Sequence, residues 1–445
     1  MIRDDELPEL GALRGIEAEF PFRTDATLAD QVVAASNDTQ PVYRWFKFKE
    51  SFAPALLTKI IVALYPAGMP RELSILDPFT GVGTTLLAAE RLATDNPDAI
   101  IRATGIEHNP FIHFAARTKV HWRQVHCQQL LQMGERAIED SERTATDLPE
   151  LSSIRTGRCI SQYVSRSLLG IQHAIRELTD GATRDALLLG VAAGIEPLSK
   201  VRKDGRALRI VRKSHPQIRT VLTSKWSQIQ SDCATLARTI TPPAFHPTLI
   251  HGDGRDLQRA GIPDESIDLI FTSPPYPNNI DYTEVYKLEL WLLGFIQTEK
   301  EFLQLRKTTF RSHPTCATPN AAATFAGQVK TGTLERLLGP VLERVEAQPW
   351  RHRLFEGYFS DMWQTLEECH RCLRKGGHAV FVVGNSLHGR PGAAYLVPTD
   401  LAIAGMARRI GFETHETIIA RNLKRRLSGN HFLRESIVIV RKPDA

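Results

Sequence analysis

Short apolar runs and longer stretches with helical periodicity alternate along much of the chain, and turns separate them. Apolar runs of this length that end at turns are typical of buried strands, whereas apolar residues spaced three and four apart predict helices. The main series of predicted strands lies at residues 73–76, 100–106, 248–250, 267–271 and 379–383. Strands that alternate with helices predict an α/β fold with a mostly parallel sheet. Two final strands, at 417–420 and 436–440, predict an antiparallel pair at the edge of that sheet.

Two regions interrupt this alternation. Most of 126–245 has helical periodicity, which predicts a helical insertion, and 296–354 is polar and irregular, which predicts a second insertion whose mobility is left open. We therefore divide the chain into an N-terminal arm, three parts of one α/β domain and two insertions. The arm covers 1–41, the α/β domain covers 42–125, 246–295 and 355–445, and the insertions cover 126–245 and 296–354.

The composition is that of an ordinary globular protein of 445 residues, with 42% hydrophobic and 24% charged residues. A formal net charge of +5 permits nucleic-acid binding without demanding it. The six cysteines form no disulfide-like framework, and the one close pair, Cys369 and Cys372, lacks the second pair that a zinc site would need. The charged start of the sequence and the lack of a long apolar run predict a soluble cytoplasmic protein.

The strand at 267–271 runs into the sequence Thr-Ser-Pro-Pro-Tyr, which predicts a rigid corner. Prolines cannot continue a sheet ladder, so the chain leaves the sheet at Pro274 and Pro275. The corner carries the hydroxyl of Ser273, main-chain carbonyls and the ring of Tyr276. Such groups can accept hydrogen bonds from an amino group and stack on the flat ring that bears it. The plainer alternative is a strand followed by a proline turn with a packed tyrosine.

A second turn, with the sequence Asp-Pro-Phe-Thr-Gly-Val-Gly, lies between the strand at 73–76 and a predicted helix. Its glycines let the backbone approach a ligand closely, and the first N–H groups of the helix face that ligand. Asp77 at the strand end suits a cationic or amine-bearing ligand better than a pyrophosphate. Upstream, Ser51 as the cap and Pro54 in the first turn predict the start of another helix.

Two further strand ends carry acidic residues. Glu107 stands where nucleotide-binding sheets hold a ribose diol, and Asp253 could accept a hydrogen bond from an adenine amino group. Ligands of open α/β sheets bind at the carboxyl ends of the strands, so the acids, the glycine turn and the proline corner should lie together. Three acids and a glycine loop suit a nucleoside joined to an amino acid with a positive centre, which describes S-adenosylmethionine. The alternative for Glu107 is a solvated side chain at a strand end.

These motifs resemble those of the amino-group DNA methyltransferases, which make N4-methylcytosine or N6-methyladenine. Residues 77–85 look like their cofactor loop, 272–276 like their catalytic motif in its N4-cytosine form, and 45–54 like a cofactor-side segment of several members. The resemblance covers about 42–125, 246–295 and 355–445. It implies a Rossmann-like methyltransferase sheet that depends on S-adenosylmethionine, mostly parallel with an antiparallel edge strand, plus a helical insertion domain.

The resemblance also implies roles for individual residues. Glu107 would bind the ribose hydroxyls of S-adenosylmethionine and Asp253 its adenine. The other cofactor-binding residues would be Asp77, Phe79, Gly81, Gly83, Thr84 and Thr85. In the catalytic motif Ser273, Pro274, Pro275 and Tyr276, the serine and the Pro274 carbonyl would hold the target amine and the tyrosine would stack on a base flipped out of double-stranded DNA. No metal is implied.

A basic stretch within the helical insertion predicts contact with DNA. Basic residues concentrate there around a glycine, and such a loop can contact phosphates. The predicted DNA-binding residues are Lys200, Arg202, Lys203, Arg206, Arg209, Arg212 and Lys213. A solvated charged face is the alternative. If the contact exists, the insertion at 126–245 is the candidate for target recognition.

The expected activity is methyl transfer to the N4 amine of cytosine, because the adenine-specific form of the motif more often has Asp or Asn in place of Ser273. The alternatives are an N6-adenine DNA methyltransferase, an RNA amino-group methyltransferase and a catalytically dead DNA-binding protein with the same fold. The sequence leaves open the recognition site, the oligomeric state and whether a cognate restriction enzyme exists.

Overall fold

A computed structural model gives the fold of most of the chain. It describes residues 2–3, 7, 9–141, 158–178, 181–203, 208–213, 216–239, 243–313, 316, 332–346, 348–390, 393–423, 427–428 and 432–444. None of the described helices is both long and apolar enough to cross a membrane.

An eight-stranded sheet forms the centre of the fold. Its strands are β1 (Phe22–Thr24), β2 (Glu72–Asp77), β3 (Ile100–Glu107), β4 (Phe245–His251), β5 (Ile267–Thr272), β6 (Leu373–Gly384), β7 (Glu413–Asn422) and β8 (Arg434–Arg441). Their order across the sheet is β1-β7-β8-β6-β5-β2-β3-β4, and all neighbours pair in parallel except those of β8. The predicted α/β fold with a mostly parallel sheet is confirmed.

The antiparallel strand is not at the edge of the sheet, where we predicted it. β8 lies between β6 and β7 and runs antiparallel to both. The strand at that edge is β1 from the N-terminal arm, which pairs in parallel with β7. The apolar side chains of β8 from Ile437 to Val440 are fully buried, as expected for a strand inside a sheet. The sequence did not show this because the three-residue β1 has no strand-like pattern of its own.

Fourteen α-helices can be placed among the described residues. The first seven are α1 (Leu10–Glu17), α2 (Ala55–Leu64), α3 (Thr84–Asp95), α4 (Pro110–Val120), α5 (Leu130–Ser141), α6 (Gln162–Leu178) and α7 (Gly181–Leu198). The others are α8 (Ile218–Thr239), α9 (Tyr282–Val285), α10 (Lys287–Leu292), α11 (Glu299–Thr308), α12 (Thr333–Val345), α13 (Pro349–Cys372) and α14 (Thr399–Ile410).

Apolar side chains on the two faces of the sheet form two cores. In β5, Leu269 and Phe271 belong to one core and Ile270 to the other, as the alternation of side chains along a strand requires. The first core contains α2, α3, α4 and the helical insertion, and the second contains α1, α12, α13 and α14. The strand ends between these two layers are therefore held from both sides.

The helical insertion, α5 to α8, shares the first core with the sheet. Trp226 of α8 is fully buried, and its Nε1–H donates to the carbonyl oxygen of Leu187 at 2.9 Å. The indole lies against Gly134 and Gly190, where an added Cβ would come within 2.2 and 2.5 Å of it. These glycines allow the helices to approach closely. A short antiparallel hairpin, Val201–Lys203 with Leu208–Ile210, lies between α7 and α8.

The second insertion is more regular than its polar sequence predicts. α11 begins with a capping box formed by Thr298 and Glu301, and its Phe302 is buried. α12 buries Leu337, Leu338 and other apolar side chains in the second core. The prediction of irregular structure is therefore wrong for these two helices, and residues 317–331 lie outside the described part. The many polar residues on the outer faces of α11 and α12 made the helical periodicity hard to recognise in the sequence.

Candidate active site

The carboxyl ends of several strands open on one cavity of about 970 Å³, part of which is open to solvent. We call it the glycine-loop cavity. Its wall is formed by residues 48, 50–52, 77–82, 84, 106–109, 112, 253–254, 273, 275, 282, 309–310 and 312–313. The structure thus brings Asp77, Glu107, Asp253 and Ser273, each predicted from a different strand end, around the same space.

Asp77 at the end of β2 ties the glycine loop to the strand that carries the proline corner. One carboxylate oxygen accepts from Thr272 Oγ1 at 2.7 Å and from the N–H of Phe79 at 3.1 Å. The other accepts from Thr85 Oγ1. Burial raises the pKa of Asp77 to about 6. Through these contacts Asp77, which lines the cavity, holds the glycine loop against β5. Thr85 supports Asp77 but does not line the cavity.

The two glycines of the loop have left-handed backbones, with φ of +53° at Gly81 and +87° at Gly83. Side chains rarely adopt this conformation, so the turn into α3 requires glycine at both positions. At Gly81, an added Cβ would also come within 3.1 Å of the ring of Phe48. The loop consequently passes close to the segment that precedes α2.

Ser51 contacts the glycine loop and does not cap α2 as predicted. Its Oγ lies 2.8 Å from Thr84 Oγ1. α2 begins after Pro54 and has no hydrogen bond from a capping side chain. The N-cap prediction is wrong because the serine hydroxyl points to α3, a partner that local sequence spacing does not show.

Glu107 ends β3 with its carboxyl in the cavity wall. Its Oε1 accepts from the N–H of Asn109 at 2.7 Å. Burial raises the pKa of Glu107 to about 8. A ligand that donates hydrogen bonds to this carboxyl would favour its ionised form and lower that pKa.

Asp253 is held by an arginine that links it to the rest of the wall. Its carboxylate accepts from Arg255 Nε at 2.9 Å and Nη2 at 2.6 Å. Arg255 Nη1 donates to Asp361 of α13 at 3.0 Å, and Asp361 also accepts from the buried Arg311. Burial alone would raise the pKa of Asp253, but the hydrogen bonds from Arg255 lower it below its ordinary value. Asp253 is thus a fixed, ionised acceptor in the wall.

The segment after α11 closes the glycine-loop cavity on one side. Phe310 stands edge-on to Phe79, with ring centroids 5.3 Å apart. The N–H of Asn279 donates to the carbonyl of Ser312 at 3.2 Å, so this segment also contacts the chain after the proline corner. Part of the predicted second insertion therefore belongs to the site.

A second cavity, of about 930 Å³ and also partly open to solvent, lies beside the first. We call it the proline-corner pocket. It is lined by residues 32–33, 49–51, 273–274, 276, 278, 280, 282, 384–386, 421, 423 and 435. Glu50, Ser51, Ser273 and Tyr282 line both cavities. These four residues form the shared wall.

Ser273 is the member of the shared wall that comes from the proline corner. Its Oγ–H donates to the carbonyl of Val382 in β6 at 3.1 Å. Because the proton is used in this way, the lone pairs of Oγ are left as acceptors. Pro274 lines the proline-corner pocket and Pro275 lines the glycine-loop cavity.

Tyr276 lies against β6 in the proline-corner pocket. An added Cβ at Gly384 would come within 2.9 Å of the tyrosine ring, so the glycine provides the space for it. Burial raises the pKa of Tyr276, and its phenol stays neutral at ordinary pH. The ring is an apolar wall for a flat ligand.

The segment that leads to Glu50 is fixed from two sides. Lys119 of α4 donates to the carbonyls of Tyr43 at 2.9 Å and Phe46 at 3.0 Å. Asp232 of α8 accepts from the indole N–H of Trp45 at 3.0 Å. The helical insertion thereby helps to position the shared wall, although none of its described residues lines either cavity.

Two of the predicted DNA-contacting lysines are used inside the protein. Lys203 is buried, forms an ion pair with Glu289, and lies 4.4 Å from the ring centroid of Tyr286. Lys213 Nζ donates to the carbonyls of Glu196 and Val201. We therefore remove both from the set of DNA-contact candidates, because an ammonium committed to packing is not available to a phosphate.

The described arginines of the same stretch are exposed to solvent. Arg202, Arg209 and Arg212 are exposed, Lys200 is partly exposed, and Arg206 lies outside the described residues. Lys49 from the rim of the proline-corner pocket donates to the carbonyl of Lys203 at 2.7 Å. This bond joins the first strand of the hairpin to the pocket rim.

Comparison with known proteins gives relatives that match nearly the whole chain. It is 26% identical over 473 aligned positions to the Type II methyltransferase M.AvaI of Nostoc, covering 97% of this chain and 93% of that protein. It is 24% identical to the Type II methyltransferase M.BsoBI of Geobacillus stearothermophilus, covering 92% of this chain and 87% of that protein. Its homologues are Type II methyltransferases.

No family model matches the chain. Among solved structures, a putative DNA modification methylase from Thermus thermophilus, complexed with S-adenosyl-L-methionine, is 21% identical with a TM-score of 0.23. The alignment covers 44% of this chain and 54% of that one.

Sequence reasoning missed several wall residues that the structure reveals. Glu50 and Ser51 lie in the segment 45–54, which resembles a cofactor-side segment but from which no cofactor-binding residue was predicted, and Thr309 and Ser312 lie in the second insertion. Glu50 had one usable signal, since it is an acid between the buried Phe46 and Phe52. The polar residues after α11 had none.

Proposed function

We propose that this chain is a DNA methyltransferase that uses S-adenosylmethionine and methylates the N4 amine of a cytosine flipped out of the duplex. One observation carries the proposal: Ser273 stands in the wall between a cavity with acids and a glycine loop and a pocket with a proline corner and an aromatic ring. Methyl transfer requires a donor site and an amine site that share such a wall. The relatives' activity supports the assignment to methyltransferases.

The glycine-loop cavity fits the cofactor. Thr80 Oγ1 is buried in its wall and has no hydrogen-bond partner among the described residues, so a ligand can satisfy it. At Gly254 an added Cβ would come within 2.4 Å of the carbonyl oxygen of Pro78, so only glycine allows the loops that carry Asp253 and Phe79 to come this close. We assign Glu107 to the ribose hydroxyls and Asp253 to the adenine. Phe79 and Gly81 line the remainder.

When bound, the cofactor supplies an electrophilic methyl group on a sulfonium. The protein has to make the target amine reactive, because the nitrogen lone pair of cytosine N4 is delocalised into the ring. Ser273 Oγ and the Pro274 carbonyl would accept the two N–H hydrogens of that amine, and this leaves the lone pair directed at the methyl group. The nitrogen would gain the methyl carbon as the bond between that carbon and the sulfonium sulfur breaks, the sulfur would leave as a neutral thioether, and the amine would release one proton to solvent.

The proline-corner pocket would hold the extruded base. Removing a base from the duplex costs a few kcal/mol, and stacking on an aromatic ring returns about 1–3 kcal/mol per base. Tyr276 provides that ring. Phosphates beside the flipped base would be contacted by three exposed arginines on or next to the hairpin, Arg202, Arg209 and Arg212.

Cytosine is favoured over adenine by Ser273, since a hydroxyl takes the place of the Asp or Asn more usual in the adenine-specific motif.

The methylated base can be identified directly. DNA is treated with the protein and cofactor carrying a deuterated methyl group, digested to nucleosides and analysed by mass spectrometry. We expect labelled N4-methylcytosine. Labelled N6-methyladenine would overturn the base assignment, and no labelled nucleoside from DNA would overturn the function.

A further inference from the structure

The shared wall contains one acid whose role is unexplained. Glu50 lines both cavities and follows the Tyr43–Phe46 segment, which Lys119 of α4 and Asp232 of α8 hold in place. Its Oε2 is buried and has no hydrogen-bond partner among the described residues. A buried polar atom without a partner destabilises the folded protein. Such an atom in a cavity wall indicates that a ligand provides the missing bond.

Burial raises the pKa of Glu50, which favours the neutral carboxyl group. The nearby lysines oppose this effect only in part, because Lys203 is already paired with Glu289 and Lys49 donates to a main-chain carbonyl. The charged and titratable groups that face Glu50 from the surrounding elements are Lys49, Lys203, Tyr282 and Tyr286, and Glu107, Arg421 and Glu435 lie further around the two cavities.

We propose that Glu50, as a neutral carboxylic acid, pairs with the edge of the target base, donating its O–H to the ring nitrogen and sharing with Ser273 Oγ the N–H on that side of the exocyclic amine. The inference rests on the proposed function and adds a positioning residue for its substrate. In cytosine these atoms are N3 and the N4 amine. A carboxylic acid matches this edge with one donor and one acceptor, whereas a carboxylate has only acceptors and would face the N3 lone pair.

The pairing has a consequence for specificity. Thymine and uracil carry a carbonyl in place of the amine, so they offer no N–H at the target position to the acid or to Ser273. The N3 lone pair is also the competing nucleophile of cytosine. A hydrogen bond to it leaves the amine as the reactive nitrogen.

Two variants test whether Glu50 pairs with the target base as a neutral acid. Glu50→Gln keeps one donor and one acceptor at every pH, and Glu50→Leu removes both. A good bidentate pair is worth about 1–3 kcal/mol, or about tenfold to a hundredfold. We expect turnover of Glu50→Gln within about threefold of the unsubstituted protein and a loss of at least about tenfold in Glu50→Leu. Glu413→Gln, which changes an exposed acid at the start of β7, is the matched control and should change nothing.

A second measurement does not depend on turnover. Sites methylated by the protein are first mapped by sequencing, and a duplex with a fluorescent cytosine analogue at the target position reports unstacking. With saturating cofactor, we expect extrusion to weaken as pH rises in the unsubstituted protein and to be pH-independent in Glu50→Gln. Cofactor affinity, measured by calorimetry, should be the same in all variants.

Three results would overturn the inference. If Glu50→Gln is as impaired as Glu50→Leu, the ionised acid is the working form. If Glu50→Leu loses cofactor affinity but not base extrusion, the carboxyl serves the cofactor. If Glu50→Leu equals the unsubstituted protein, Glu50 has no role. A failure of the proposed function is distinct from all three, because the unsubstituted protein would then methylate no DNA.

Discussion

The glycine-loop cavity and the proline-corner pocket share a wall but are built differently. In the first, the acids are already held, Asp77 by two threonines and a backbone N–H, Asp253 by Arg255 and Glu107 by a backbone N–H. In the second, the Ser273 oxygen and Glu50 Oε2 still have acceptor capacity. The difference indicates that the cofactor site is preorganised by the fold, whereas the base pocket is completed by its substrate.

The largest expected effect comes from removing the carboxylate that joins the two sites. Asp77→Ala leaves Thr272, Thr85 and the Phe79 N–H without their acceptor. Hydrogen bonds to a charged group are worth about 1.5–3 kcal/mol each, so we expect the free energy of unfolding to fall by about 3 kcal/mol or more and cofactor binding to be lost. Chemical denaturation and calorimetry measure both quantities.

The matched control for that change is Asp95→Ala, which removes an exposed acid paired with Arg91 on α3. A surface pair is worth about 0–1 kcal/mol. Equal destabilisation by the two substitutions would contradict the linking role of Asp77.

A change confined to the proline-corner pocket should spare the cofactor. Tyr276→Ala removes the stacking surface, worth about 1–3 kcal/mol per base. We therefore expect turnover to fall by about tenfold to a hundredfold while cofactor affinity stays within about twofold. Tyr276→Phe keeps the ring and should retain most of the activity. Equal losses in the two variants would show that the phenol hydroxyl, and not the ring, is what matters.

The contrast between the two cavities also explains what the sequence could predict. Strand ends carry Asp77, Glu107 and Asp253, and a parallel sheet brings its carboxyl ends to one edge, so local patterns were enough to assemble that site. Glu50 lies in the wall because the segment before it is held by α4 and α8, which are distant from it in sequence. Lys203 looked like a surface charge because nothing nearby in the chain indicates its partner Glu289.

The raised pKa of Glu107 gives cofactor binding a pH dependence that is opposite in direction to the one expected for base extrusion. Hydroxyl donors favour the ionised carboxyl, so binding releases a proton, and affinity should rise by up to about tenfold per pH unit until about pH 8 and then level off. Without cofactor, the contribution of Glu107 to stability is lost as pH rises from its ordinary pKa of 4.5 towards about 8. Titration calorimetry between pH 6 and 9 measures the slope.

Glu107→Gln tests whether Glu107 causes the pH dependence of cofactor affinity, because the amide does not titrate. Its affinity for the cofactor should be nearly independent of pH over the same range. A slope that persists in this variant would assign the proton release to another group.

The smallest effect is expected outside both cavities, at the exposed arginines. Arg209→Ala should lower the slope of log affinity for DNA against log salt concentration by about one unit and weaken binding without changing the methylated base. Arg91→Ala, an exposed arginine on α3, is the control. Fluorescence anisotropy across a salt series gives both slopes, and equal slopes would remove the hairpin from the DNA interface.

The central claim is that methyl transfer takes place across Ser273. The most direct measurement compares cofactor affinity and single-turnover rate in Ser273→Ala. We expect unchanged affinity and a rate lower by at least about a hundredfold, since removing one preorganised hydrogen-bonding group typically costs that much. A rate equal to that of the unsubstituted protein would contradict it.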